Sequence, residues 1–198
     1  MAVSPQLTTR VTNILKQPAQ EWPVIAAEPA DVASLMSGYA GPLAAIPAVC
    51  SWIGMSFIGF GFGYRRGIIS GLVAAILSWV FALVGAYVGA FVIEKLAPTF
   101  KSSGSTVQAL KLVVYASTPV WVAGVLNLIP VLSPLIIIAA LYAIYLFYLG
   151  VPVLMKTPND QVIPYMVVSA IVMFVIMICL GFVAAALTGA GYYMRGGF

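Results

Sequence analysis

Five long apolar runs dominate the chain, at roughly residues 41–62, 67–93, 107–128, 134–154 and 163–190. A bilayer core of ~30 Å takes about 20 helical residues to cross, and each run is long enough. The pattern predicts an all-α membrane protein, a bundle of five transmembrane helices. The second and fifth runs exceed the minimum, which tilt or ends rising above the membrane would absorb. Between the third and fourth lies Asn127-Leu-Ile-Pro-Val-Leu-Ser-Pro134, without a charge. Its two prolines favour a tight helical hairpin over one very long apolar helix.

Residues 1–40 read differently. Val11, Ile14, Leu15, Pro18, Trp22 and Ile25 recur at helical spacing, while Arg10, Asn13, Lys16, Gln17, Gln20 and Glu21 fill other faces. This predicts short amphipathic helices in the membrane interface, split by Pro18 and Pro23, with Trp22 at headgroup depth. Glu28-Pro29-Ala-Asp31 then opens a helical segment, Val32–Tyr39, that leads into the first run. Proline suits a first helical turn and Asp31 suits a positive helix end. The chain thus divides into a cytoplasmic or interfacial arm, 1–40, and a five-helix transmembrane bundle, 41–198. Two uses of the arm stay open: a surface that docks membrane or partner, or a lid over its own bundle.

Small residues supply the packing that lipid-embedded helices need. Gly85 and Gly89, flanked by Ala82, Ala86 and Ala90, smooth one face of the second run; Gly181, Ala185 and Gly189 do the same on the fifth. Either stripe serves packing within the chain or a homo-oligomer seam. Pro47, Pro119 and Pro152 lie inside runs and are candidate hinges, with Ser117 and Thr118 placed to re-bond the carbonyl that Pro119 frees.

Composition agrees with this reading: 63% of the 198 residues are hydrophobic and 7% charged, against about a quarter charged in soluble domains. The net charge of +4 is spread thinly. No basic run tracks phosphates, so nucleic acid is not an expected partner. Residues 1–30 lack the apolar core and cleavage site of a signal peptide. Cys50 and Cys179 sit in apolar runs and read as packing residues.

There is no histidine, which removes the commonest general base, proton shuttle and metal ligand. No Cys/His cluster, phosphate-cradling loop or intramembrane carboxylate pair appears. Ser51, Ser56, Ser78 and Ser169 have no base at a recognisable spacing. Neither an enzyme nor a cofactor is expected. No run carries an ionisable residue near its centre, which argues against ion-coupled transport or voltage sensing. Passage of apolar or lipidic cargo stays open.

Orientation follows the cations. Arg10, Lys16, Lys95, Lys101, Lys111 and Lys156 fall on one side, and Arg65, Arg66 and Arg195 on the other. The bias predicts a multi-pass protein of the cytoplasmic (inner) membrane, N-terminus cytoplasmic and C-terminus outside. Polar groups gather on that cytoplasmic face. Glu28, Asp31, Lys156 and Asp160 form the candidate cluster, with Lys156 reaching Glu28 or Asp31 to staple the arm. The alternative is that Lys156 snorkels to water and marks a helix end.

Tyr145-Leu-Phe-Tyr-Leu-Gly-Val-Pro-Val-Leu-Met-Lys-Thr-Pro158 resembles the signature of prokaryotic members of the Yip family, the Ypt/Rab-interacting membrane proteins. Tyr148, Gly150, Pro152, Met155, Lys156, Thr157 and Pro158 carry the likeness. Arg10-Val-Thr-Asn-Ile-Leu-Lys-Gln-Pro18, Trp22 and Glu28-Pro29 are similar to the family's N-terminal region. The resemblance implies a five-helix bundle with a cytoplasmic N-terminus and a C-terminus across the membrane. It also implies contact with other membrane proteins, and binding of Rab-type GTPases as in eukaryotic relatives. The expected function is non-enzymatic: a membrane-organising or partner-binding protein, a trafficking-type adaptor. The rival is a transporter, channel-like conduit or scramblase for a lipid or small molecule.

Overall fold

The computed structural model describes residues 5–59 and 65–187. Among the described residues there is helix and turn, and no strand. This is an all-α membrane protein. Four continuous helical stretches are long and apolar enough to cross a bilayer: Val32–Ile58, Ile68–Phe100, Thr106–Leu128 and Pro130–Leu154. A further apolar helix, α9, runs over Val162–Leu187.

The arm forms two helices, α1 (Pro5–Lys16) and α2 (Pro18–Ala27). Pro18 ends the first because it cannot donate to the ladder, and it opens the second for the same reason. Asp31 then caps α3 (Val32–Leu35) in a capping box: its carboxylate accepts from the Ser34 amide, and the Ser34 hydroxyl accepts from the Asp31 amide. One widened turn, Met36–Ala40, carries α3 into α4 (Gly41–Ile53).

α5 (Ile68–Leu96) is the longest helix among the described residues and lies on the outside; α6 (Thr106–Ala116) and the short α7 (Thr118–Ala123) form the centre. In the most apolar window of each stretch, 61% of positions are buried in Thr106–Leu128, against 11% in Ile68–Phe100. α5 therefore meets lipid and α6 meets protein. The break between α6 and α7 falls at Ser117, ahead of Pro119, where the Ser117 hydroxyl donates to Val113 O at 2.8 Å.

The chain reverses at Ile129, which is extended between two tight turns, Gly124–Leu128 and Pro130–Leu135. Here α4 comes very close: a Cβ on Gly124 would lie 2.5 Å from Pro47 Cβ. Pro47 is thus seated against a backbone. α8 (Ile136–Leu154) returns against α6 and α7, with much of its surface exposed, and bears Pro152 inside it. Among the other candidate packing residues, Gly181 lies in α9, and Gly189 falls outside the described residues.

Candidate functional site

The arm does not float in the interface. α1 and α2 fold back on one end of the bundle, and the apolar stripe read from the sequence faces inward. Ile14, Trp22 and Ile25 are all buried, at 0%, 0% and 1% exposure. Trp22 is therefore a plug, not a headgroup anchor. Its slot is made by an absent side chain: a Cβ on Gly150 would stand 2.8 Å from Trp22 Cζ2 and 2.6 Å from Leu112 Cδ1. Tyr115 meets the indole edge-on at 6.5 Å, Tyr39 packs on Tyr115 at 4.4 Å with its ring tilted by 53°, and the Tyr39 hydroxyl shares a 2.9 Å hydrogen bond with Thr118. An aromatic file thus runs from the arm to the α6–α7 break.

Polar contacts hold the plug in place, and most go to backbone. A helix leaves its last carbonyls without intrahelical partners. The Ile25 carbonyl would ordinarily receive the amide four residues on, but that residue is Pro29. Lys111 fills the vacancy: its ammonium donates to Ile25 O at 2.8 Å and also to Glu28 O. A cation at the C-terminal end of α2 also matches the helix dipole. Gln108 Nε2 donates to Ala26 O at 3.3 Å, and the Tyr142 hydroxyl donates to Leu15 O at 2.7 Å, at the end of α1. Three side chains of the bundle thus terminate two helices of the arm.

Arg10 ties the arm to itself. Its guanidinium bridges the carboxylates of Glu21 and Glu28. Burial works against the guanidinium's charge, but the bond to Glu28 and the two carboxylate charges outweigh it, so its pKa stands above the ordinary value. Glu21, off the apolar stripe in the sequence pattern, is nevertheless buried at 7% exposure beside this bridge.

The four residues proposed as a cluster are not brought together. Glu28 pairs with Arg10, and Asp31 is used in the α3 cap. The backbone and side-chain bonds from Ser34 hold the Asp31 carboxyl below the usual range. Asp160 accepts from Gln161 Nε2 at 2.8 Å, and that bond lowers its pKa. Lys156 is exposed and makes no ion pair among the described residues. The cation that reaches the arm is Lys111, whose ammonium donates to the last carbonyls of α2, while Lys156 at the α8–α9 corner is exposed. The missed signal was Pro29, which leaves a carbonyl that some buried donor must satisfy.

The stretch 148–158 has a different use in each part. Gly150 admits Trp22. Met155, at 0% exposure, lies over Gly104, where a Cβ would meet its sulfur at 2.6 Å. Its carbonyl accepts from the Ser103 amide at 2.8 Å, and Thr157 accepts from the Ser102 hydroxyl at 2.8 Å. Lys156 turns the corner with φ 51°. Tyr148 is exposed and Pro152 and Pro158 are half-buried. The stretch therefore clamps the α5–α6 connection on one side and receives the arm on the other.

Gly85 and Gly89 have another setting. They line an open cavity of about 440 Å³ among α5, α6, α8 and α9. A Cβ on Gly89 would meet nothing closer than Met173 Cε at 3.5 Å.

Neither a curated protein nor a solved structure matches the chain. A family does: the sequence model of the Yip1 domain matches residues 12–193, from within α1 to beyond the last described residue of α9. That stretch contains the plug, its slot and the clamp, and the chain belongs to the Yip1 domain family.

Proposed function

We propose that this integral membrane protein of the Yip family works without catalysis, as an organiser of the membrane that binds other proteins through its docked arm. The observation that carries the reading is the division of the arm into two faces. Ile14, Trp22 and Ile25 are used up by the seat, while Thr12, Asn13, Lys16, Gln17 and Gln20 stay exposed on the outside. A helix pair already held on the bundle presents those side chains at no further ordering cost on binding. The six-to-three bias of cations supports a cytoplasmic arm and an outer C-terminus in the cytoplasmic membrane. A Rab-type GTPase is the partner class suggested by the family.

The test is recovery of partners from native membranes by cross-linking through the arm. Lys16→Glu with Gln20→Glu, which leave the seat untouched, should abolish recovery of a specific protein that the wild type retains. Equal recovery by both would sink the reading. The conduit is the second reading, and the open cavity beside Gly85 and Gly89 favours it. Flux or lipid scrambling by the pure protein in liposomes, lost in Pro47→Ala, Pro119→Ala and Pro152→Ala variants that still fold, would replace the adaptor with that reading.

A further inference from the structure

The cavity among α5, α6, α8 and α9 is not a packing flaw sealed inside the bundle. Ile144 and Val167, on two of its walls, are 58% and 51% exposed, so it opens sideways through the surface that meets the bilayer. Its volume of about 440 Å³ falls in the range of roughly 300–1,000 Å³ seen for small-molecule sites. Its walls are apolar apart from Ser117 and Ser169. The Ser117 hydroxyl is satisfied by Val113 O at 2.8 Å. Ser169 is 5% exposed, lines the cavity, and its hydroxyl has no hydrogen-bond partner. An unpaired hydroxyl in hydrocarbon is costly, and the surrounding lipid tails cannot relieve it.

From these observations we infer that the cavity holds one acyl chain of a membrane phospholipid, with the chain's ester carbonyl accepting from Ser169. Depth supports the pairing. Ser169 is seven residues into α9, or ~10 Å at 1.5 Å per residue. The 26 residues of α9 reach ~39 Å, longer than the ~30 Å hydrocarbon core, and with little tilt its first turn, Val162–Tyr165, rises into the interface. Ser169 then lies within a few ångströms of the hydrocarbon boundary, where ester groups sit. The cavity beyond it, toward Gly85, is apolar and suits the tail. Size argues against a helix of a second copy: a cylinder about 10 Å across displaces on the order of 400 Å³ in each turn. One turn would fill the site, and a spanning helix has several. The inference is independent of the arm's role and survives its failure.

The test uses the full-length protein in liposomes doped with phosphatidylglycerol carrying a diazirine in one acyl chain. Photolysis and peptide mapping should label Val113, Phe147 and Met166 and their neighbours above the outer face of α5. Ala170→Phe, at an exposed position on the cavity wall, should cut that labelling about tenfold, the effect of losing ~1.4 kcal/mol of binding. Val84→Phe, on the lipid-facing side of α5, should leave it unchanged and controls for folding. A probe with an ether-linked chain lacks the carbonyl, so it should label the wild type less than the ester probe, and the two should label Ser169→Ala equally. Labelling spread evenly over α5, or unaffected by Ala170→Phe, would overturn the site. Equal labelling by both probes in the wild type would overturn the role of Ser169. A cross-linked dimer through Gly85 and Gly89 that Ala170→Phe abolishes would assign the cavity to a second copy instead.

Discussion

Gly150 and Gly89 are both buried glycines in membrane helices, and they face opposite situations. Beside Gly150 the space that a side chain would take is filled by Trp22 and Leu112. Beside Gly89 it borders an open cavity, with the nearest side chains at ordinary contact distance. A glycine in a lipid-embedded helix makes a slot. What enters the slot decides whether the place is a lock or a site. At Gly150 the chain supplies its own plug, and the polar groups of the arm and of α6 close around it. At Gly89 the chain supplies none.

The comparison breaks most sharply at the plug. Trp22→Ala empties a fully buried aromatic and should cost about 3–5 kcal/mol, read as a large drop in the unfolding midpoint in detergent and as proteolysis of residues 5–27. Gly150→Ala should cost about 1–3 kcal/mol, because the added methyl meets a rigid ring. Combining the two tests the lock directly. With the indole gone, Leu112 Cδ1, which a Cβ on Gly150 would approach to 2.6 Å, has vacated space to shift into, and Gly150→Ala should become much less costly or neutral, since alanine is the better helix former. A strictly additive double mutant would mean that the two residues do not share a contact.

Lys111→Met comes next. It keeps the length of the side chain and removes the donor to the Ile25 and Glu28 carbonyls. Leaving buried carbonyls unpaired costs about 1–3 kcal/mol. Exchange of the α2 amides with solvent should quicken while those of α8 do not. Unchanged exchange in α2 would show that the plug alone holds the arm.

The same comparison explains what could be read before the structure. Apolar runs fix helices because no other open structure satisfies its backbone in lipid, so Ile68–Leu96 and Ile136–Leu154 were legible from composition alone. The inward stripe of the arm was legible from period, since Ile14 on α1 and Trp22 and Ile25 on α2 recur at helical spacing along the sequence. Its depth was not. Trp22 suits an interface as well as a core, and only the pairing with Gly150, far along the chain, tells which. The charges were misassigned for a related reason. Lys156 and Lys111 are each a lone lysine near a helix end, and sequence does not say which helix underlies the arm. Pro29 did hold a clue, because it strips the Ile25 carbonyl of its donor. That clue names a need and not the residue that meets it.

Gly89→Ala sharpens the contrast in sign. The same substitution that damages Gly150 meets side chains only at ordinary contact distance here, Met173 Cε at 3.5 Å being the nearest, and the gain in helix propensity is about 0.5–1 kcal/mol. The unfolding midpoint should hold or rise. A fall comparable with Gly150→Ala would mean that α5 is packed more tightly along this face than the cavity indicates.

A smaller effect is expected at Asp31. Its carboxyl titrates below the ordinary value because the Ser34 amide donates to it. A depressed carboxyl contributes its full share above the unfolded pKa, ~3.9, and loses it as the pH falls through the folded value. Acidification should therefore weaken the α3 cap in the wild type, and Asp31→Asn, which keeps a capping oxygen, should flatten that acid limb while leaving the midpoint near neutrality in place.

The smallest effect belongs to Lys156, and it is informative for that reason. The lysine stands at the corner between α8 and α9, exposed, in a left-handed conformation with φ 51°. Its neighbours Met155 and Thr157 are the ones that hold the α5–α6 connection. Lys156→Glu reverses a charge without touching either contact, so stability should stay within about 0.5 kcal/mol. Met155→Ala, one position away, removes a side chain with no exposure and should cost about 2–5 kcal/mol. If instead the charge reversal proved as damaging as the truncation, the lysine would be holding an acidic partner, and the arm would have a second tether through this corner.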